Sequence, residues 1–171
     1  MVMMSMTNES SIVLSEDKTI NRNIKALSWF TPSVGDKLGY GVAAVNIINS
    51  LMINQVYVGY NSASPKTHVS FVQPEWYTGL QNQYKIGYTP WESSVIPDGW
   101  PDKMRQMQEI WTTSKYCVDV YEEFKVNDII RLVPHGIDPE VWKIENRYLE
   151  DKFVFLHVGG PTERKGGQRV V

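Results

Sequence analysis

The segment IIRLVPHGIDP, residues 129–139, indicates the fold class of this chain. Its apolar start is typical of a short buried strand. Pro134 ends that strand because proline has no N–H to donate, and Gly136 permits a sharp turn. His135 is therefore expected at the carboxyl end of a strand, which is where open α/β sheets bind their ligands.

Strands and helices alternate along most of the sequence. The predicted strands lie at 25–30, 84–89, 110–113, 129–133 and 153–158, and the predicted helices at 42–52 and 114–124. This order predicts an α/β fold with a Rossmann-like, mostly parallel sheet flanked by helices. Two further strands, 55–60 and 68–72, are joined by a loop too short for a crossover helix. They form either an antiparallel hairpin or strands separated by an irregular turn.

Composition and charge argue against several classes of protein. A net charge of -2 over 171 residues gives no reason to expect nucleic acid or an anionic membrane as a partner. No apolar run is long enough to form a transmembrane segment. The single cysteine, Cys117, cannot form an internal disulfide and fits a cytoplasmic protein. Residues 1–23 are polar and lack the features of a secretory signal, so we expect a flexible N-terminal tail.

A glycine-rich loop separates the first predicted strand from the first predicted helix. Gly39 and Gly41 close this loop. Backbone N–H groups at a helix N-terminus can bind an anion such as phosphate. The other interpretation is a tight turn without a ligand, because the spacing matches neither of the two well-known phosphate-binding fingerprints.

A second candidate position follows the strand at 84–89. The Glu92 carboxylate could accept hydrogen bonds from sugar hydroxyls while the neighbouring Trp91 indole stacks on the ring. Alternatively, Glu92 caps the next segment and Trp91 fills the core. His68 has no metal-ligating neighbour at a suitable spacing, so we interpret it as structural. Cys117 falls on the inward stripe of a helix and should be a small buried hydrophobe.

The order of these segments resembles the N-terminal domain of a group-one, retaining nucleotide-sugar glycosyltransferase with the GT-B fold. The most specific piece is VPHGID at 133–138. The other pieces are GYG at 39–41, GYTPWE at 87–92 and IWTTS at 110–114, and VGG at 158–160 with ERKG at 163–166 resembles the start of the second domain. The implied domains are 24–142, a linker at 143–152, and the start of a truncated donor-binding domain at 153–171.

The resemblance also implies roles for individual residues. Arg164 and Lys165 match the basic pair that clamps the donor diphosphate. Gly39 and Gly41 match the loop that approaches the donor phosphates or the acceptor. Glu92 and His135 are the candidate catalytic residues, with contacts to the acceptor or the sugar. Gly160 departs from the family pattern, because many relatives carry an arginine there.

The implied function is transfer of a sugar from a nucleotide-sugar donor to a glycan or another acceptor. The nucleotide sugar is a co-substrate, and neither a cofactor nor a metal is expected. Most of the donor-binding half would lie beyond Val171, so we expect activity to need a second chain that supplies it. The alternatives are a non-catalytic sugar- or partner-binding module derived from such an enzyme, and a generic α/β binding domain.

Overall fold

The computed structural model describes residues 2–6, 12–16, 25–32, 34, 39–78, 81 and 84–143, and for the first two ranges the backbone alone. The chain divides into two compact units, Met1–Gly136 and Ile137–Val171. In the second unit the described residues are 137–143, where the N–H groups of Val141 and Trp142 donate to the Asp138 carbonyl. The predicted strand at 153–158 lies outside the described residues.

The first unit is built on one sheet with the strand order β2-β1-β4-β3-β5-β6-β7-β8. The strands are β1 (Val2–Met6), β2 (Ile12–Glu16), β3 (Lys25–Phe30), β4 (Val56–Tyr60), β5 (Thr67–Phe71), β6 (Tyr84–Tyr88), β7 (Glu109–Thr112) and β8 (Ile130–Leu132). The helices are α1 (Gly39–Ile53), α2 (Trp100–Arg105) and α3 (Lys115–Glu123), with a 3-10 turn at Pro74–Trp76. Strands β3 to β8 are all parallel, whereas β1 pairs antiparallel with both β2 and β4. This six-stranded parallel sheet flanked by helices confirms the predicted Rossmann-like α/β fold.

Two apolar clusters hold the helices to the sheet. Ala44 and Ile48 of α1 pack with Trp29, Phe71 and Tyr88 of the strands. The second cluster joins α2 and α3 to the sheet, and its largest members are Trp100, Met104, Ile110 and Tyr121. The Ser114 side chain caps α3 as predicted, since its hydroxyl accepts from the Cys117 N–H at 3.2 Å.

A buried carboxylate ties three neighbouring strands together. Glu109 of β7 is buried and accepts from Tyr84 Oη of β6 at 3.2 Å and from Arg131 Nε of β8 at 2.7 Å. Its other oxygen accepts from Trp111 Nε1 at 2.8 Å. A buried charge is tolerated only when it is paired and hydrogen-bonded, and Glu109 meets both conditions.

The link between β4 and β5, residues 61–66, is a short irregular crossover, so the antiparallel hairpin is wrong and the irregular turn is confirmed. Both strands pair parallel to β3, one on each side of it. The Asn61 N–H donates to the Trp29 carbonyl at 2.9 Å, and the Ser62 N–H donates to Ser28 Oγ at 2.9 Å. The start of the link therefore lies beside β3.

Other element boundaries differ modestly from the sequence-based prediction. Helix α1 begins at Gly39, three residues before the predicted start, so that Gly39 and Gly41 belong to its first turn. Strands β1 and β2 lie within residues 1–23, where we expected a tail. Both strands contain short apolar runs, VMM and IVL, in which the β-branched residues favour a strand. Over the described residues, the helices are too short or too polar to cross a membrane.

Candidate functional site

A hollow of about 210 Å³ opens where the strand order of the parallel sheet reverses. The chain goes from β3 to one neighbour, β4, and then crosses to the other neighbour, β5. β3 and β5 lie side by side at this switch point, which is the usual place for a ligand in open α/β sheets. We call this the switch-point hollow, and the described residues that line it are Thr31, Pro32, Tyr40, Val72, Gln73 and Trp76.

Four elements of the fold position these side chains. Thr31 and Pro32 directly follow β3, and Val72 and Gln73 directly follow β5. Tyr40 lies in the first turn of α1. Trp76 ends the 3-10 turn that Pro74 begins, and it is 62 % exposed, so its indole is available to a ligand.

The hollow contains polar groups that could bind a ligand. Thr31 is fully buried, at 0 % exposure, and its Oγ1 has no hydrogen-bond partner among the described residues. An unpaired buried hydroxyl of this kind costs about 1–3 kcal/mol. Tyr40 Oη lies 3.0 Å from Thr89 Oγ1, so the phenol is held in place from β6. The Gln73 side chain is exposed and adds an amide with both donors and an acceptor.

An aromatic layer supports the hollow at the carboxyl edge of the sheet. The Phe71 ring centroid lies 4.9 Å from that of Tyr40 and 4.8 Å from that of Tyr88. The His135 ring meets Phe71 and Tyr88 edge-on, at 5.7 and 5.9 Å. The Tyr88 hydroxyl donates to the Val133 carbonyl at 2.6 Å, which fixes the turn that carries His135. Burial raises the pKa of Tyr88 to about 12 and lowers the pKa of His135, so both are neutral at pH 7.

The pKa of the Tyr40 phenol is raised. Burial is the main reason for this rise, and the hydrogen bond with Thr89 opposes it. The carboxylates of Glu75 and Glu92 raise the same pKa slightly further. Both glutamates are exposed, and Glu75 lies in the 3-10 turn beside Trp76.

None of the predicted site residues is among the described residues that line the hollow. Gly39 and Gly41 flank Tyr40, and a Cβ on Gly39 would meet open space. Glu92 acts on the Tyr40 phenol, and His135 reaches the same region through Phe71. Arg164 and Lys165 lie outside the described residues.

Sequence reasoning missed the residues that line the hollow. Tyr40 stands between two glycines that we singled out, and Thr31 directly follows a predicted strand, so both carried a local signal. Gln73 and Trp76 carried none, because their position depends on β5 lying beside β3. That neighbour relation follows from the short crossover between β4 and β5, which no residue pattern indicated.

A larger hollow, of about 340 Å³, lies at the opposite edge of the sheet between the segments that precede β7 and β8. Two of its polar side chains, Arg105 and Asn127, are held by neighbouring groups. Arg105 pairs with Asp102 at 2.9 Å and donates to the Lys125 carbonyl, and Asn127 donates to Met104 and Met107 carbonyls. We therefore regard it as a surface groove. Within the described ranges, no group of three His, Cys, Asp or Glu side chains could hold a metal ion.

Comparisons with protein-family models, with curated proteins and with solved structures found no match for this chain.

Proposed function

We propose that this chain provides the acceptor-side domain of a group-one, nucleotide-sugar-dependent glycosyltransferase. The observation that carries the proposal is the exposed Trp76 indole on the switch-point hollow, beside the polar groups of Tyr40, Gln73 and Thr31. A sugar ring has apolar C–H faces and a rim of hydroxyls. An indole can stack on the face while hydroxyls and an amide bind the rim.

The size of the hollow favours a single ring. Pockets for drug-sized ligands enclose roughly 300–1,000 Å³, whereas the switch-point hollow encloses about 210 Å³. Trp76 is exposed, so a ring stacked on its indole would leave the rest of a glycan free to extend into solvent. The hollow therefore suits the terminal residue of an acceptor glycan.

The proposed transfer needs groups beyond the acceptor hollow. His135 and Glu92 are proposed to contact the reacting sugar. Arg164 and Lys165 are proposed to bind the donor diphosphate and to stabilise the charge that develops on the leaving group. The rest of the donor site is expected from a second domain, whether a continuation of this chain or a separate polypeptide.

The proposal predicts transfer only when both domains are present. Release of UDP or GDP from sugar donors should be measured with the chain alone and with the product of a continuing or adjacent reading frame. We expect turnover only when both polypeptides are mixed. In that mixture, Trp76→Ala should raise the acceptor KM about 3- to 10-fold, because stacking contributes about 0.5–1.5 kcal/mol.

Tyr116→Ala is the matched control, since Tyr116 is an exposed aromatic residue on α3 outside the hollow. This variant should leave the acceptor KM unchanged. Glycan binding without transfer in any mixture would indicate a sugar-binding module. If Trp76→Ala weakens neither acceptor binding nor transfer, the hollow is not the acceptor site.

A further inference from the structure

Thr89 connects the two helix layers of the fold at the carboxyl edge of the sheet. It directly follows β6 and is fully buried. Its Oγ1 lies 3.0 Å from Tyr40 Oη of α1, and its carbonyl accepts from Tyr121 Oη of α3 at 3.2 Å. The neighbours Ile110 and Trp111 of β7 pack in different apolar clusters, so the two clusters lie on opposite faces of the sheet. Tyr40 packs with one cluster and Tyr121 belongs to the other, so Thr89 is bonded from both faces.

The backbone around Thr89 makes it a rigid anchor. Its N–H donates to the Trp111 carbonyl at 3.1 Å, while its own carbonyl accepts from Tyr121. Both backbone polar groups are therefore bonded, and a β-branched side chain has few rotamers. The Thr89 hydroxyl also lies 3.3 Å from the Pro90 carbonyl. These contacts fix the position of Oγ1.

Tyr40 lies in a part of α1 where the backbone gives little local support. It stands in the first turn, between Gly39 and Gly41. Glycine has a low helix propensity, so contacts with other elements must hold this turn. The Tyr40 ring contacts the Phe71 ring with their centroids 4.9 Å apart, but apolar contact is not directional. The hydrogen bond with Thr89 is directional and defines where the phenol lies.

We propose that Thr89 is a positioning residue of the acceptor site, whose hydroxyl holds the Tyr40 phenol in place on the wall of the switch-point hollow. Thr89 is not among the described residues that line the hollow, so it acts on a bound sugar through Tyr40. This inference rests on the proposed function, in which the hollow binds the terminal ring of the acceptor.

The first test needs no ligand. Thr89→Val replaces the hydroxyl with a methyl group of similar size, and the Tyr40 ring signals, assigned with Tyr40→Phe, are followed by NMR on the full chain. We expect Thr89→Val to shift these signals, because Tyr40 moves relative to the Phe71 ring. Thr89→Ser keeps the hydroxyl and should leave them near their wild-type positions. Thr112→Val is the matched control, since Thr112 is equally buried at the end of β7 and should not affect Tyr40.

The second test measures sugar binding. The methyl glycosides of glucose, galactose and mannose are titrated while NMR follows the indole N–H signal of Trp76, assigned with Trp76→Phe. For a sugar that binds, Thr89→Val should weaken affinity about 2- to 10-fold, as expected for the loss of one hydrogen bond. Thr89→Ser loses a buried methyl group and should be less stable, yet its affinity should stay within about 2-fold of the wild type because the hydroxyl remains.

A double-mutant cycle tests whether Thr89 acts through Tyr40. In the Tyr40→Phe background the hydrogen bond is already absent, so adding Thr89→Val should change affinity by less than about 2-fold. Two residues that act independently would instead show the full effect of Thr89→Val in both backgrounds.

The outcomes separate this inference from the proposed function. Tyr40 signals that Thr89→Val does not shift, or an affinity that stays unchanged although they shift, would overturn the positioning role while leaving sugar binding in place. Equal losses of affinity in Thr89→Val and Thr89→Ser, or independent effects in the cycle, would overturn it as well. Absence of binding by every sugar in the panel would overturn the proposed function and this inference together.

Discussion

At the scale of single residues, His68 shows how a polar side chain can be buried without being a ligand site. It is 0 % exposed, and its Nδ1 lies 2.9 Å from Ser28 Oγ. Its Nε2 lies 2.8 Å from Thr78 Oγ1 and 3.1 Å from Ser70 Oγ. Both ring nitrogens therefore have partners, in keeping with the structural role inferred from the sequence.

The burial of His68 predicts a loss of stability in mild acid. Burial, with a smaller effect of Lys85, lowers the pKa of His68 to about 4 in the folded state, against 6.5 for an unperturbed histidine. Between these values the unfolded chain binds a proton that the folded chain does not. The contribution of His68 to the free energy of unfolding is therefore complete above pH 6.5. It decreases by about 3 kcal/mol in all as the pH falls towards 4.

Urea unfolding at pH 4.5 to 7 measures this dependence. His68→Gln should flatten the rise of the free energy of unfolding with pH, although the variant is less stable throughout. His135→Gln, at an exposed histidine, should keep most of the rise. Equal pH dependence in the wild type and His68→Gln would show that this buried ring is not the source.

At the scale of elements, the 3-10 turn that presents Trp76 is held by a close approach to β6. A Cβ on Gly87 would lie 2.5 Å from two ring carbons of Tyr77, the residue after the turn. Only glycine therefore lets the Tyr77 ring lie against the strand. Gln73 and Trp76 belong to the same turn, so we expect their positions to depend on the contact between Tyr77 and Gly87.

We expect Gly87→Ala to displace Tyr77 and to destabilise the protein by about 1–3 kcal/mol, the usual cost of overpacking. Sugar binding at Trp76 should weaken as well, because the turn moves. Thermal unfolding measures the loss of stability. Titration with methyl glycosides, followed by NMR of the Trp76 indole N–H signal, measures the loss of binding. Gly136→Ala, where an added Cβ meets open space, is the control. Combining Gly87→Ala with Tyr77→Leu should recover part of the stability, and no recovery would argue against this contact.

The elements themselves were largely predictable. Helix α3 has a clear capping residue and an inward stripe of Cys117, Val120 and Tyr121, so its bounds agree with the prediction within one residue. The predicted start of α1 was too late because glycine has a low helix propensity, which argued against including Gly39 and Gly41. Gly41 is nevertheless buried, and tertiary packing outweighs that propensity.

At the scale of the whole molecule, the parallel sheet was predictable and its strand order was not. Alternating strands and helices fix the fold class, but β3 and β5 become neighbours through a six-residue link that resembles a hairpin loop in sequence. The hollow between them joins Thr31 to Trp76, residues that no local pattern connects. The motif-based assignments of Arg164 and Lys165 stay predictions, since they lie outside the described residues.

The central claim is that the switch-point hollow binds the acceptor sugar. The most direct test is to titrate the chain with a neutral methyl glycoside that it binds, and to map the changes in backbone amide NMR shifts. We expect the largest shifts at Thr31, Tyr40 and residues 72–76, with residues 105–129 around the larger groove unchanged. Shifts confined to residues 105–129, or spread evenly over the sheet, would contradict the claim.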